Sequence, residues 1–458
     1  MKTLRNDLAF QHYQTSVGEM VVAYTLGENR FTILQDDAAI ILGRLLEGED
    51  PAEVLGGVQE RFGSDARDEA STFLDSVSPL FFDPTRTEDK RESRERTGTP
   101  VSRDLTEEDQ FYGFCSQERL FATSAWELSY TCNLRCVHCY NPHHSAAGEL
   151  TTDHWLDLLE QAREMGLLRL CLTGGEVGIH PGLWRILAKA RSLHLAVDVL
   201  TNGWVFADVG LTRELASLFP RSIQCSLYGA TPATHEEITG VRGSWDRTMR
   251  CLKNFADLGV PLAVKCPAMQ LNYLEIPEVA RIAEDLGAML QVDVNITARN
   301  DGNDQPTQFR LEEDQLSWLF RQPGLPLYQG LERIGREAIQ PPSPEDAVCG
   351  AGTNGLSVQP NGIATPCLSF MLPLGRVPQQ SLREIWEGHP LSDWRRKQRQ
   401  DRDGCGGCDL EAHCSFCPGI SLNDMGNALG RNPNDCRIAK VRSAIYDQCF
   451  PRPQCCRA

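Results

Sequence analysis

Three cysteines in the ten-residue stretch TCNLRCVHCY, namely Cys132, Cys136 and Cys139, restrict the fold of this chain more than any other feature of its sequence. They stand at C-x3-C-x2-C on a loop that follows a run of apolar, β-prone residues. The chain holds 18 cysteines in 458 residues, too sparse for a disulfide scaffold, yet ten of them lie between Cys349 and Cys456. Clustering of this kind points to metal. Three thiolates can grip three irons of a 4Fe-4S cluster and leave the fourth open. Four-cysteine ligation is the default of electron carriers, so the missing ligand marks a site kept for another molecule. A zinc site, or three cysteines packed in a core, are the competing readings.

The surrounding pattern places the loop. From Trp126, short apolar segments at 126–130, 168–173, 196–201, 222–227, 261–267 and 290–295 alternate with amphipathic helical stretches. Six such units imply a parallel sheet curled into all or part of a barrel, over residues 116–340. The cysteine loop follows the first strand, at the barrel end where active sites sit.

The N-terminal residues 1–82 read as a separate unit. Two β-prone runs in MVVAYTLGENRFTIL (20–34) form a hairpin, followed by a helix in DDAAIILGRLLEG, a second opened by Asp50 and Pro51, and a third from about 66 to 77. The product is winged-helix-like. Residues 83–115 are dense in both charges and read as a solvated linker. After about 340 the apolar periodicity fades and Gly, Pro and Cys dominate 341–458, where bound metal can supply order.

The formal charge of −17 argues against bulk nucleic-acid binding. No apolar run approaches the ~20 residues of a membrane helix, and MKTLRNDLAFQHYQ lacks a signal-peptide core. The expected location is the cytoplasm, with neither nucleic acid nor membrane as partner.

Further along, CLTGGEVGIHP sets Gly174, Gly175 and Glu176 after the second strand, VLTNG ends the third and QCSLYG the fourth. In this order the motifs resemble the radical S-adenosylmethionine (SAM) superfamily. The resemblance implies a partial (β/α)6 TIM-like barrel in which Cys132, Cys136 and Cys139 carry the catalytic 4Fe-4S cluster. Its open iron would chelate SAM, which an electron cleaves to methionine and a 5'-deoxyadenosyl radical. His138 takes the family's aromatic position, and Gly174, Gly175 and Glu176 would bind the SAM amino group, although Val177 replaces the usual proline. Asn202 and Ser226 would face the ribose, and Arg247 would reach the SAM carboxylate. Asn202 beside Gly203 also reads as turn chemistry, and Arg247 as a surface helix residue.

The C-terminal pattern C-x12-G-x4-C (Cys349, Gly362, Cys367), then C-x2-C-x5-C-x2-C (Cys405, Cys408, Cys414, Cys417), then Cys436, resembles the SPASM extension of that superfamily. One spacing departs, with two residues where the family has three before Cys417. The resemblance implies two auxiliary 4Fe-4S clusters, one on Cys405, Cys408, Cys414 and Cys436, the other on Cys349, Cys367 and Cys417. A zinc ribbon is the competing reading. The second group has only three cysteines, so either a substrate thiolate takes its fourth position or Cys449, Cys455 or Cys456 closes it. Cys115, Cys171, Cys225, Cys251 and Cys266 read as core or incidental residues.

The first 80 residues are similar to the PqqD-like RiPP recognition element, which holds the leader of a ribosomally made precursor peptide, with a DNA-binding winged helix as the alternative. Leader pairing with a hairpin edge is the expected mode. Together the resemblances imply a peptide maturase that forms a thioether between a cysteine sulfur and a carbon, reduced by a protein such as flavodoxin or ferredoxin. Carbon-carbon cross-linking, maturation of a quinohemoprotein or sulfatase subunit, and a non-catalytic iron-sulfur carrier are the alternatives.

Overall fold

The computed structural model describes residues 4–82, 106–141, 148–337 and 342–450. Its N-terminal unit is a three-stranded antiparallel sheet in the order β1 (Leu8–Thr15), β2 (Gly18–Thr25), β3 (Arg30–Gln35). The expected hairpin is β2–β3. β1 adds a strand that sequence pattern does not reveal, because its polar residues fall at Gln11, His12 and Gln14 without a period of two. Helices α1 (Asp36–Leu46), α2 (Pro51–Phe62) and α3 (Ser64–Phe81) cover one face, where Leu8, Phe10, Val21 and Ala23 pack on Leu42 and Phe81. The Asp50 side chain accepts from Ala52 N at 2.8 Å, so α2 starts as the Asp-Pro pair foretells.

The opposite face rests on helix α4 (Glu107–Glu118) and on the floor of the next unit. Tyr13, Met20, Val22 and Tyr24 form one cluster with Phe111, Leu168 and Ala196. α4 falls inside the stretch read as a charged linker, whose remainder, 83–105, lies outside the described residues. The helix escapes notice because only Phe111 and Cys115, four apart, are buried among acidic and polar residues. Beneath it lies an ionic network. Asp198, fully buried, accepts from Arg169 Nε at 2.6 Å and Arg221 Nη2 at 3.1 Å. Both arginines reach Glu108, which also accepts from the Tyr24 hydroxyl at 2.8 Å.

Six parallel strands follow: β4 (Thr123–Glu127), β5 (Arg169–Thr173), β6 (Ala196–Thr201), β7 (Ser222–Ser226), β8 (Leu262–Pro267) and β9 (Met289–Asp293). They match the expected segments to within three residues at each end. Helices α5 (Thr152–Glu164), α6 (Leu183–Ser192), α7 (Val209–Ser217), α8 (Pro232–Thr239), α9 (Ser244–Asp257) and α10 (Ile276–Asp285) provide the crossovers. Strand residues facing these helices are apolar, from Trp126 stacked on Trp155 to Leu172, Val199, Ile223 and Val264. The alternate positions point inward and are mostly polar or ionisable, with Glu127, Cys171, Asp198, Gln224, Ser226 and Lys265 beside the apolar Ala125, Leu200 and Ala263. A polar interior suits a ligand rather than a sealed core. Cys225, Cys251 and Cys266 are buried as expected, but Cys171 lines the interior beside Asp198 instead of joining the apolar layer.

The Gly/Pro/Cys-rich region adds strands to this sheet. β10 (Gly355–Val358) pairs parallel with β4, and β11 (Ile363–Thr365) and β12 (Gly375–Arg376) continue antiparallel beyond it, giving nine strands in all. Gly355 permits this pairing, since a Cβ there would stand 1.9 Å from Thr123 O. Among the described residues no helix is long and apolar enough to cross a membrane.

Burial pushes the Asp198 carboxyl up, and the Arg221 and Arg169 guanidiniums more than offset this, so its pKa lies below the usual range. A depressed carboxylate contributes stability that is present above its unfolded pKa and lost as pH falls through the folded one. Asp198→Asn leaves two buried guanidiniums short of an anion and is expected to cost about 3–5 kcal/mol. Urea titrations of both proteins at neutral and acidic pH check this: the gap should narrow in acid.

Candidate active site

The cysteine loop emerges from β4 and is clamped by the turn after β5. Gly175 N donates to Ser129 O at 2.6 Å and Glu176 N to Thr131 O at 3.0 Å. Gly174 has φ +127°, and a Cβ on Gly175 would meet Thr131 O at 2.2 Å. Both glycines therefore let this turn press against the chain entering the cysteine loop. The structure shows these glycines in close approach to the protein's own backbone.

Glu176 is a brace. Its carboxylate, 1 % exposed, accepts from Gly178 N at 2.8 Å, the Thr201 hydroxyl at 2.6 Å and Asn202 N at 2.7 Å, joining the ends of β5 and β6. Burial raises its pKa and those three donors work against the rise. Asn202 turns toward the cysteines: its Nδ2 lies 3.7 Å from Cys132 Sγ and 2.9 Å from Asn133 Oδ1, while its Oδ1 accepts from Trp204 N. Its turn role and its place at the site coexist.

Cys132, Cys136 and Cys139 act electrostatically on one another, and burial pushes all three thiols up. Thiols raised by burial give up their protons when a cation arrives, which is the chemistry an iron cluster requires. Among the described residues no three His, Cys, Asp or Glu side chains stand close enough to share one metal ion. The ligands of a cubane grip separate irons and stand further apart, so the donor set fits a cluster better than a single zinc ion. Tyr228, two residues beyond β7, brings its hydroxyl within reach of Cys136 and Ser226. His138 packs edge-on against the Tyr228 ring at 4.7 Å, and burial lowers its pKa to about 4, so it is neutral near pH 7. Arg247, on α9, stacks over Trp204 at 4.7 Å and sits at the rim.

Two residues escaped the sequence reading. Glu127 ends β4, fully buried, with one oxygen accepting from Tyr140 OH at 2.8 Å and the other unpartnered. Burial raises its pKa to about 7. Its signal was available: an acid at an inward position, directly after the buried Trp126. Arg299, beyond β9, acts electrostatically on Cys139, and its buried Nε has no partner. Nothing in the sequence distinguishes it from a surface arginine.

The C-terminal cysteines form two groups. Cys367 responds to Cys349 and Cys417, and Cys405 to Cys408 and Cys436. Cys414 shares Glu411 and Arg402 with Cys405 and shares Asp435 with Cys417, so it lies between the two sets. Cys449 stands thirteen residues beyond Cys436 on the helix Pro433–Cys449, about 20 Å along its axis. There it is exposed, near Arg321. It is therefore not placed to complete the three-cysteine group, whose Cys417 lies against the first turn of that helix through Asp435. Cys455 and Cys456 lie outside the described residues.

Residues 126–295 match the Radical SAM superfamily, and residues 349–409 match SPASM, an iron-sulfur cluster-binding domain. The chain thus carries a radical SAM domain on a partial TIM-like barrel, with SAM and a 4Fe-4S cluster as its cofactors, followed by a SPASM domain with auxiliary iron-sulfur clusters. Among curated proteins it is 26% identical to the AdoMet-dependent heme synthase of Methanosarcina barkeri, over 68% of this chain and 94% of that one. It is 28% identical to the PqqA peptide cyclase of Gluconobacter oxydans, over 67% and 88%. The fold is similar to Streptococcus suis SuiB bound to precursor peptide SuiA, with a TM-score of 0.61 at 16% identity, covering 95% of this chain and 100% of that one.

Replacing Cys132, Cys136 and Cys139 together by alanine should remove about a third of the bound iron and abolish release of 5'-deoxyadenosine, with the auxiliary-cluster spectrum retained. Glu176→Gln turns an amide N–H2 toward at least one existing donor, at a cost of about 1–3 kcal/mol. Thermal unfolding should show that loss, and 5'-deoxyadenosine formation should slow roughly tenfold as the clamp on the loop loosens.

Proposed function

We propose that this chain is a radical SAM maturase of a ribosomally made peptide, which joins a cysteine sulfur to a carbon of another residue as a thioether. Bound SAM supplies a 5'-deoxyadenosyl radical able to take hydrogen from an unactivated carbon. Cys132, Cys136 and Cys139 would hold its cluster, with Asn202, Ser226, Tyr228 and Arg247 around the site where SAM lies. The polar barrel interior, closed below by the Asp198 network, would keep the reacting carbon away from water.

The observation that carries the sulfur reading is the deficit at Cys349, Cys367 and Cys417. Among the described residues no further cysteine is placed beside them, so a substrate thiolate would have a coordination position to occupy, with closure by Cys455 or Cys456 as the competing reading. Cys405, Cys408, Cys414 and Cys436 would form the complete outer cluster.

Leader binding is assigned to the N-terminal sheet. Its β1 edge is occupied: Phe10 N donates to His194 O, and Arg163 and Arg191 donate to Phe10 O and Leu8 O. Among the described residues nothing pairs with the outer edge of β3. An extended leader would add there as a fourth strand and raise the local concentration of the core peptide at the barrel. A flavodoxin or ferredoxin would supply electrons, in the cytoplasm.

The PqqA peptide cyclase likeness keeps a carbon-carbon cyclase as the second reading. The heme synthase likeness leaves about a third of this chain outside the alignment. Mass spectrometry of precursor coexpressed with the enzyme separates the peptide readings. Loss of two hydrogens with one cysteine no longer alkylated is expected for the thioether; the same mass loss with every thiol free refutes it. Removing the leader should lower turnover at least tenfold at limiting peptide, and saturating peptide should restore it.

A further inference from the structure

The auxiliary sulfurs differ in what donates to them. Cys349 accepts from Ala351 N at 3.4 Å, Cys367 from the backbone of Ser369 and Phe370, and Cys417 from Gly419 and Ile420. These are neutral amides. The charged neighbour of Cys417 is Asp435, whose carboxylate accepts from Cys417 N at 3.3 Å. Asp435 also acts on Cys414 of the outer group, so its negative charge is common to both.

What the outer group adds is a cation bonded to one of its sulfurs. Arg431 Nε donates to Cys436 Sγ at 3.3 Å, and its charge also acts on Cys405 and Cys408. Among the described residues no carboxylate forms an ion pair with Arg431. Arg402 adds positive potential at Cys405 and Cys414, although Glu411, 2.6 Å from it, opposes this. Cys408 and Arg431 are both exposed. Hydrogen bonds to cluster sulfurs, nearby positive charge and solvent contact all favour the reduced state of an iron-sulfur cluster, which carries one more negative charge.

We infer that Arg431 raises the reduction potential of the cluster held by Cys405, Cys408, Cys414 and Cys436, making it the electron-accepting end of the auxiliary pair. The inference rests on the proposed grouping of these cysteines. An electron held by the Cys349, Cys367 and Cys417 cluster would pass to the outer one, the first being oxidised and the second reduced, and from there at the surface to an oxidised electron-carrier protein. The two groups would be set in redox order by Arg431, whose charge acts on Cys405, Cys408 and Cys436.

The test is a potentiometric titration, followed by electron paramagnetic resonance, of the anaerobically reconstituted full chain and its Arg431→Gln and Arg431→Lys variants. Arg431 is exposed, so neither variant disturbs the core. In Arg431→Gln one midpoint should move negative by about tenfold in the reduction equilibrium, 59 mV for one electron, with the other two unchanged. Arg431→Lys, which keeps the charge, should move the same midpoint less. Three unchanged midpoints in a fully loaded Arg431→Gln protein overturn the role of Arg431 and leave the cluster assignment standing. Iron for fewer than three clusters in the unaltered chain overturns the assignment and the inference with it.

Discussion

The pairing of β10 with β4 is the contact on which the rest of the arrangement depends. β4 is the first barrel strand, and in an open barrel its outer edge would be bare. Ala122 N and Thr123 N both donate to Asn354 O, and Ser124 Oγ donates to Leu356 O at 2.8 Å, so the edge is filled by the C-terminal region. β4 delivers Cys132, Cys136 and Cys139 at its far end, and β10 leads into the turn before Cys367. One backbone ladder thus fixes a barrel loop and an auxiliary loop in a common frame. Its register is set by Gly355, where any side chain would collide with Thr123.

A second constraint acts at the mouth of the barrel. A loop carrying three cysteines has few apolar contacts of its own, and the turn Gly174–Glu176 supplies rigidity through hydrogen bonds to Ser129 and Thr131. Glu176 ties that turn to Thr201 and Asn202, and Asn202 reaches Cys132. The motif residues therefore form one connected network. Substrate chemistry is then carried out within a frame that is rigid before SAM binds, the condition under which electrostatic preorganisation is effective.

Much of this was legible in the sequence, and the misses share a cause. The six barrel strands are buried on their helix-facing side and stand out as apolar runs. The cysteine spacings are fixed by cluster geometry, so they are visible without alignment. β1 and α4 lack a periodic apolar face: β1 is covered on both sides, by α1–α3 and by the barrel floor, and α4 buries only Phe111 and Cys115 among acidic and polar residues. Their burial is produced by tertiary contacts and breaks the simple two-faced pattern that sequence reading relies on. The sequence marks Gly175 and Glu176 but not their intrachain partners, Ser129, Thr131, Thr201 and Asn202, because it shows a close approach without saying to what. Arg299 and Arg431 owe their interest wholly to what folds beside them.

The two three-cysteine groups are joined by more than the shared sheet. Tyr130, two residues before Cys132, donates its hydroxyl to Gln359 Oε1 at 3.1 Å, and Gln359 Nε2 donates to Met371 Sδ at 2.8 Å, four residues past Cys367. On the other side, Asn300 N donates to Tyr140 O, and Asn423 reaches Asn300 from the helix Pro418–Met425, which begins immediately after Cys417. Each cysteine loop is thus held to the other at both ends. On the proposed reading, a peptide whose carbon meets SAM and whose sulfur meets the inner cluster must span a separation that the enzyme does not adjust. The spacing between linked residues would then be chosen by the protein frame, and a promiscuous leader site on β3 would be compatible with a narrow range of ring sizes.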